Sequence, residues 1–147
     1  MKFKFIKDDT KDEVVVYAKE KNIIVKQIEE ICELSDNTLI IYDDVYIKKI
    51  NPLEVECFFT CDDKVYAIYE GEKYQVKKRL YELSQEYKDS FIYINQGCLA
   101  NILYIDRFDV SISGVLLVYF KSGYKDYASR RQIKNIKERI GIKKWKI

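Results

Sequence analysis

Two adjacent arginines near the end of the chain are the residues whose type and spacing most clearly suggest chemistry. Arg130 and Arg131 follow Ser129, which can cap the amino end of a helix, and Gln132 stands at the spacing of a capping box. Arginines in a first helical turn oppose the positive end of the helix dipole, so they favour an anion that also meets the free backbone N–H groups. The segment therefore predicts a phosphate site, and a solvated basic helix face is the alternative interpretation.

The residues that follow predict the helix that carries this site. Ile133, Ile136 and Ile140 recur at helical spacing and define an apolar face. A second face is basic, and its members are Arg130, Lys134 and Lys137. Ser122-Gly123 predicts a hairpin turn, because glycine takes a positive φ at no steric cost. A short strand over Tyr124–Ala128 then leads into the helix.

Two predicted loops offer further polar contacts. Asn95 and Gln96 follow a predicted strand, and their amides can both donate to and accept from base edges, adenine being the usual partner. Lys64 lies at the tip of a hairpin whose turn is Asp62-Asp63. A plain strand-to-turn junction is the alternative interpretation of Asn95-Gln96-Gly97, since Asn and Gly are common turn residues.

The residue types of the chain argue against catalysis. The sequence has no histidine, which removes the commonest general base and the usual metal ligand. Its aspartate pairs, Asp43-Asp44 and Asp62-Asp63, fall in predicted turns, where aspartate is favoured for local hydrogen bonds. The 5 glycines form no phosphate-binding loop, and the 4 cysteines have no metal-binding or disulfide pattern. We therefore expect no enzymatic activity, no metal or cofactor and no small-molecule substrate.

The charge of the chain is divided unequally along its length. With 147 residues, the chain can bury one ordinary core, with room for a small appendage. Residues 1–90 hold 15 Lys or Arg against 20 Asp or Glu, whereas residues 91–147 hold 11 against 4. This asymmetry predicts that the C-terminal part meets a polyanion. The sequence shows no signal peptide and no membrane-spanning run, so we expect a cytoplasmic protein.

The first 37 residues predict a small β-β-α segment. Phe3 and Phe5, and then the apolar run Val14–Tyr17, indicate two short strands. Helical periodicity follows over Glu20–Leu34, and Ser35-Asp-Asn37 predicts its end. We take residue 37 as the boundary of this segment.

Residues 38–147 predict a second domain rich in strands. Short apolar runs alternate with turns, which indicates a mainly antiparallel β domain and an α+β fold overall. A short helix is expected over Lys78–Tyr87, and a turn or short helix around Pro52. The predicted strands are Thr38–Tyr42, Val45–Lys48, Val55–Cys61, Lys64–Tyr69, Lys73–Val76, Phe91–Ile94, Ile102–Phe108, Gly114–Phe120 and Tyr124–Ala128.

These segments, in this order, resemble the LytTR-type DNA-binding domain of bacterial transcriptional regulators. The resemblance extends over residues 41–140, and the short β-β-α segment before it is similar to that of small stand-alone regulators of the family. It departs from the family where Tyr93 replaces an arginine and where Gln96-Gly97 replaces Lys-Ser or Arg-Ser. The segments that carry it are Val55–Phe59, Lys64–Tyr69, Tyr74–Leu83, Phe91–Asn101 and Tyr127–Arg131.

The resemblance implies an elongated, mostly antiparallel β fold whose loops enter successive major grooves of double-stranded DNA. By position, Asp63 or Lys64 supplies the first base contact, and Asn95 and Gln96 supply the second. Arg131 supplies the third and can read guanine through its bidentate fork. The basic residues expected to hold phosphates are Arg130, Lys134, Lys137 and Lys125.

The resemblance also implies partners. Members of the family bind paired repeats as dimers, and small stand-alone members are often encoded beside a membrane protein that restrains them. The acidic N-terminal segment is the candidate for a dimer or regulator contact. The leading hypothesis is a sequence-specific DNA-binding transcriptional regulator. The alternative, suggested by Tyr93, Gln96 and Gly97, is a protein-interaction module on a LytTR-like scaffold that no longer binds DNA.

Overall fold

The computed structural model describes residues 1–36 and 38–141, with the backbone alone for 34–36. The chain divides into two compact units, and the division lies between residues 37 and 38. None of the helices in the described residues is long and apolar enough to cross a membrane.

Among the described residues of the N-terminal unit there is one helix, α1 (Ile23–Asp36). Asn22 begins it, because its carbonyl accepts from the Lys26 N–H at 3.1 Å and its side chain accepts from the Val25 N–H at 3.1 Å. Residues 1–22 contain no strand, so the two strands predicted there are wrong. Local alternation favours a strand, but a strand also needs a neighbour for its ladder hydrogen bonds. The predicted helix stop ends on residue 37, which lies outside the described residues.

In its described residues, 38–141, the second unit contains ten strands and two α-helices. In chain order they are β1 (Leu39–Tyr42), β2 (Ile47–Ile50), β3 (Cys57–Cys61), β4 (Lys64–Tyr69), β5 (Glu72–Val76), α2 (Leu80–Glu86), β6 (Phe91–Asn95), β7 (Cys98–Asn101), β8 (Ile105–Asp109), β9 (Leu116–Phe120), β10 (Lys125–Ala128) and α3 (Arg130–Ile140). Seven strands form a sheet in the order β2-β1-β5-β4-β3-β7-β6, and three form a sheet in the order β10-β9-β8. Every pair is antiparallel, as the sequence predicts.

Around β3, β7 and β6 the seven-stranded sheet is covered on both faces, to which successive side chains of a strand point in turn. In β3, Phe58 packs into a core with α2 on one face, where it meets Leu83 and Leu99. On the other face, Cys57 joins a second core that is closed by the three-stranded sheet and α3. The centre of the sheet is therefore a rigid base for the loops at its ends.

The chain around β7 differs most from the sequence-based expectation within this unit. No strand is predicted over Cys98–Asn101, yet these residues form β7, which lies between β3 and the edge strand β6 and is buried on both faces. The strand predicted over Ile102–Phe108 begins instead with a 3₁₀ turn at Ile102–Tyr104. Asn101 causes this turn, because its Oδ1 accepts from the Leu103 N–H at 3.1 Å.

One buried carboxylate connects the two sheets. Glu56, immediately before β3, is 3% exposed, and its Oε1 accepts from the backbone N–H of Ser122 at 2.8 Å. Ser122 lies in the β9–β10 turn, at the end of the three-stranded sheet. This contact fixes the β9–β10 turn beside the end of the large sheet that is opposite the β3–β4 turn.

Candidate nucleic-acid interface

The β3–β4 hairpin presents the first group of candidate residues. Cys61 pairs with Lys64, so the connecting turn has only the two residues Asp62 and Asp63. Both have left-handed backbone angles, φ 52° and 63°, as a two-residue turn between twisted strands requires. Asp63 and Lys64 are exposed at the tip.

The β6–β7 hairpin places the second group directly beside the first. Asn95 pairs with Cys98, which leaves Gln96 and Gly97 as the turn. Strand β7 is hydrogen-bonded to β3, and the Thr60 N–H donates to the Gly97 carbonyl at 2.9 Å. The two turns therefore lie side by side at one end of the seven-stranded sheet.

Glycine at position 97 follows from this close approach. A Cβ built there would lie 3.0 Å from Thr60 Oγ1 and 3.6 Å from Asn95 Oδ1. The first contact is shorter than ordinary van der Waals contact, so a larger residue would require Thr60 to move. The departure from the family pattern at Gln96-Gly97 therefore places the smallest residue where the neighbouring hairpin approaches most closely.

The structure separates the two amides that the sequence grouped together. Gln96 is exposed, whereas Asn95 is 4% exposed and engaged with protein groups. Its Nδ2 donates to the Tyr127 carbonyl at 2.8 Å and to Asp126 Oδ1 at 3.3 Å, and its Oδ1 accepts from the Gly97 N–H at 2.8 Å. Asn95 therefore ties the β6–β7 turn to β10.

Helix α3 brings the third group to the same end of the unit. At its amino end, the Ser129 N–H donates to the Ile94 carbonyl at 2.8 Å. Near its carboxyl end, the Arg139 guanidinium donates to the carbonyls of Lys88 at 3.3 Å and Asp89 at 3.2 Å, just before β6 begins. The helix thus runs back along β6, with its amino end beside the turn at Gln96.

The start of α3 has the predicted position without the predicted capping box. Ser129 is the N-cap, but its side chain makes no cap hydrogen bond. Its carbonyl accepts from the N–H groups of Gln132 at 3.0 Å and Ile133 at 3.2 Å. Arg130 and Arg131, both exposed, occupy the first turn, where the helix dipole attracts an anion.

The two predicted faces of α3 are both present. Ile136 is fully buried, and Ile133 and Ile140 pack against the core beneath the helix. The basic face borders a shallow groove of about 420 Å³ that also includes Gly114 of the β8–β9 loop. The basic residues that line it are Arg130, Lys134 and Lys137.

A second basic group lies on the three-stranded sheet and includes a residue that sequence reasoning missed. Tyr119 pairs with Arg107 on one side and Lys125 on the other. The Arg107 guanidinium lies 4.2 Å from the Tyr119 ring centroid, and the Lys125 Nζ lies 5.7 Å from it. Arg107 also pairs with the adjacent Asp106 at 2.7 Å. Only the strand register brings Arg107 and Lys125 together, and no motif in the sequence marks it.

Neutral buried groups support the turn at Gln96-Gly97 from below. A hydrogen bond with Cys57, together with burial, raises the pKa of the Cys98 thiol well above its ordinary value. Burial likewise raises the pKa of Tyr124, whose ring stacks on Phe59 at 5.4 Å between centroids. Both groups therefore stay uncharged at neutral pH.

Comparison with known proteins identifies the same domain type over most of the chain. The sequence profile of the LytTr DNA-binding domain matches residues 45–141. A relative from Staphylococcus aureus strain NCTC 8325, described as an uncharacterized HTH-type transcriptional regulator, is 36% identical over 106 residues, 72% of each chain. A similarly described protein from the bovine strain RF122 is 34% identical over the same length. A solved LytTr DNA-binding domain of a Bacillus cereus response regulator has the same fold, with a TM-score of 0.66 at 18% identity, covering 72% of this chain and 98% of that one.

Proposed function

Since the chain belongs to the LytTR DNA-binding domain family, we propose that this DNA-binding transcriptional regulator reads promoter DNA with loops that enter successive major grooves. One observation carries the proposal. The β3–β4 turn, the β6–β7 turn and the amino end of α3 meet at one end of the second unit. In the described residues, α2 and α3 are separated by five strands, so they do not form a helix-turn-helix pair.

The exposed side chains at this end are our candidates for base contacts. Gln96 can contact adenine through two hydrogen bonds, and Arg131 can contact guanine in the same way. At the first turn, Lys64 suits guanine, whereas Asp63 can accept from the amino group of cytosine. Asn95 has its amide engaged with protein groups, so we assign it the role of positioning the turn that carries Gln96.

Two basic groups are our candidates for phosphate contacts, and the one on α3 lies beside these turns. Arg130, Lys134 and Lys137 line one groove, where three positive side chains can follow the sugar-phosphate backbone. Lys125 is the fourth predicted phosphate contact, and the structure adds Arg107 to it across Tyr119. These contacts would position the domain on the duplex without reading its sequence.

We further propose that the regulator acts as a homodimer on paired repeats, as the family resemblance implies. We also propose that a membrane protein binds the regulator and restrains it. Two copies on one duplex double the number of phosphate contacts, which steepens the dependence of affinity on salt.

The salt dependence of DNA binding tests the proposal. A duplex selected by the purified protein from a random-sequence pool, and a scrambled duplex of equal length, serve as probes. We expect the affinity for both to fall steeply with salt, because each neutralised phosphate releases counterions and contributes about −0.9 to the slope of log K against log salt. Weak binding that is independent of salt, with no preference for the selected duplex, would contradict the proposal and favour the protein-interaction alternative.

Two arginines of α3 provide a matched pair of variants. Arg131→Ala should cost about 1–3 kcal/mol on the selected duplex and relax specificity at one base pair. Arg139→Ala removes the same charge from the same helix, but at the end that contacts Lys88 and Asp89. We expect Arg139→Ala to keep the base preference of the parent. Equal preferences for the parent and Arg131→Ala would show that Arg131 does not read a base.

A further inference from the structure

Several large apolar side chains of the N-terminal unit are exposed. The rings of Phe3, Phe5 and Tyr17 are 92%, 79% and 94% exposed. Val14 and Ile31 are also more than half exposed. A unit of fewer than about 40 residues rarely buries enough surface to be stable alone, and oligomerisation is a common remedy.

A groove in the same unit is suited to an extended apolar segment. It lies between residues 14–16 and α1, has a volume of about 370 Å³, and is lined by Val14, Val16, Val25 and Ile28. Its charged edge consists of Lys21, Glu29 and Glu33, and the Lys21 ammonium is already paired with Glu29 at 2.7 Å. Glu33 on this edge is exposed and forms no ion pair with the described residues.

The first seven residues have the complementary pattern. In Lys2-Phe-Lys-Phe-Ile-Lys7, basic and apolar residues alternate through the first four positions. In an extended conformation, alternate side chains point to opposite sides, so Phe3 and Phe5 share one side and Lys2 and Lys4 share the other. One side can enter an apolar groove while the lysines remain close to the acidic edge.

We propose that this groove binds residues 2–7 of a second copy of the chain, in a reciprocal exchange between two protomers. A reciprocal exchange is closed, because both segments and both grooves of the pair are then occupied, and it therefore stops at a dimer. Each buried aromatic ring removes roughly 150–250 Å² of surface from water. Phe3, Phe5 and the groove lining thus supply a large share of the roughly 800 Å² per partner of a specific interface.

This inference rests on the proposed homodimer and assigns its contact surface. It also explains why residues 1–22 contain no strand, although Phe3 and Phe5 have the spacing of one. An extended segment can obtain its neighbours by adding to another molecule, where main-chain hydrogen bonds supply affinity and alternate side chains supply specificity.

Sedimentation of the full chain without DNA tests the inference. We expect the parent to form a concentration-dependent dimer, and Phe5→Asp to weaken it at least tenfold. Tyr81→Asp is the matched control, because Tyr81 is an aromatic residue on α2 with 66% exposure and should leave the dimer unchanged. A monomeric parent would overturn the inference, because the groove would then be covered by its own N-terminal segment or by another protein. A dimer that persists in Phe5→Asp would overturn it as well.

A charge exchange tests the pairing of segment and groove. Lys4→Glu and Glu33→Lys should each weaken the dimer severalfold, and the two together should restore part of the loss, since opposite charges then face each other again. Weakening without any restoration would overturn the assigned pairing. Because no DNA is present, a failure of DNA binding in the parent would contradict the proposed function without affecting this measurement.

Discussion

Removing the buried amide of Asn95 should destabilise the second unit and displace the turn at Gln96. Two of its hydrogen bonds are short, at 2.8 Å to the Tyr127 carbonyl and 2.8 Å from the Gly97 N–H, and the third, to Asp126, is longer at 3.3 Å. Each short bond contributes about 1 kcal/mol net, and a buried partner left unsatisfied costs about 1–3 kcal/mol. We therefore expect Asn95→Ala to lower the free energy of unfolding by about 2–4 kcal/mol.

Urea denaturation, monitored by far-ultraviolet circular dichroism, measures this loss. Gln96→Ala is the control, because Gln96 is adjacent but exposed, and surface substitutions usually change stability by less than about 0.5 kcal/mol. Asn95→Asp adds a second comparison. It keeps an acceptor for the Gly97 N–H but loses the donor to Tyr127 and places a carboxylate beside Asp126, so it should also destabilise the fold.

DNA binding by the same variants separates positioning from direct contact. If Asn95 positions the turn, Asn95→Ala should lose stability and DNA affinity together, whereas Gln96→Ala should lose DNA affinity alone. The reasoning would be refuted if Asn95→Ala unfolded at the same urea concentration as the parent and still lost base preference. That result would restore Asn95 as a base contact.

Three further predictions concern packing and pH. Gly97→Ala should cost about 1–3 kcal/mol in urea denaturation, because its Cβ would lie 3.0 Å from Thr60 Oγ1, and Thr60→Ala should remove part of that cost in a double-mutant cycle. Ile136→Ala, at a fully buried position of α3, should lower the free energy of unfolding by about 2–5 kcal/mol, and an equal stability of parent and variant would contradict the packing. Burial raises the pKa of Tyr87 from 10.0 to about 12. The neutral phenol therefore contributes fully to the free energy of unfolding below about pH 10, and this contribution is lost as pH rises towards 12. Tyr87→Phe should therefore flatten the alkaline decline of stability, and an unchanged decline would count against this assignment.

Local sequence patterns were sufficient to predict α3 and the tight turns. The apolar stripe at Ile133, Ile136 and Ile140 specifies α3, because its spacing matches one helix face and Ile136 is buried as predicted. The turns at Asp62-Asp63 and Ser122-Gly123 were also predictable, since few residue types tolerate the backbone angles of tight turns. Strand β7 was not, because Cys98-Leu-Ala-Asn101 is buried on both faces and so shows no alternation.

The residue types of the candidate interface could be predicted from the sequence, but their arrangement in space could not. The sequence by itself determined which basic and amide side chains stand in or next to turns and on the basic face of α3, because turn chemistry and helical spacing act over a few neighbouring residues. Only the tertiary structure decided that Asn95 is buried while Gln96 is exposed, since its partners Asp126 and Tyr127 lie about thirty residues away. The same holds for Arg107 and Lys125, which meet across Tyr119 through strand register. Register and burial depend on contacts between distant segments, and composition and spacing do not encode those contacts locally.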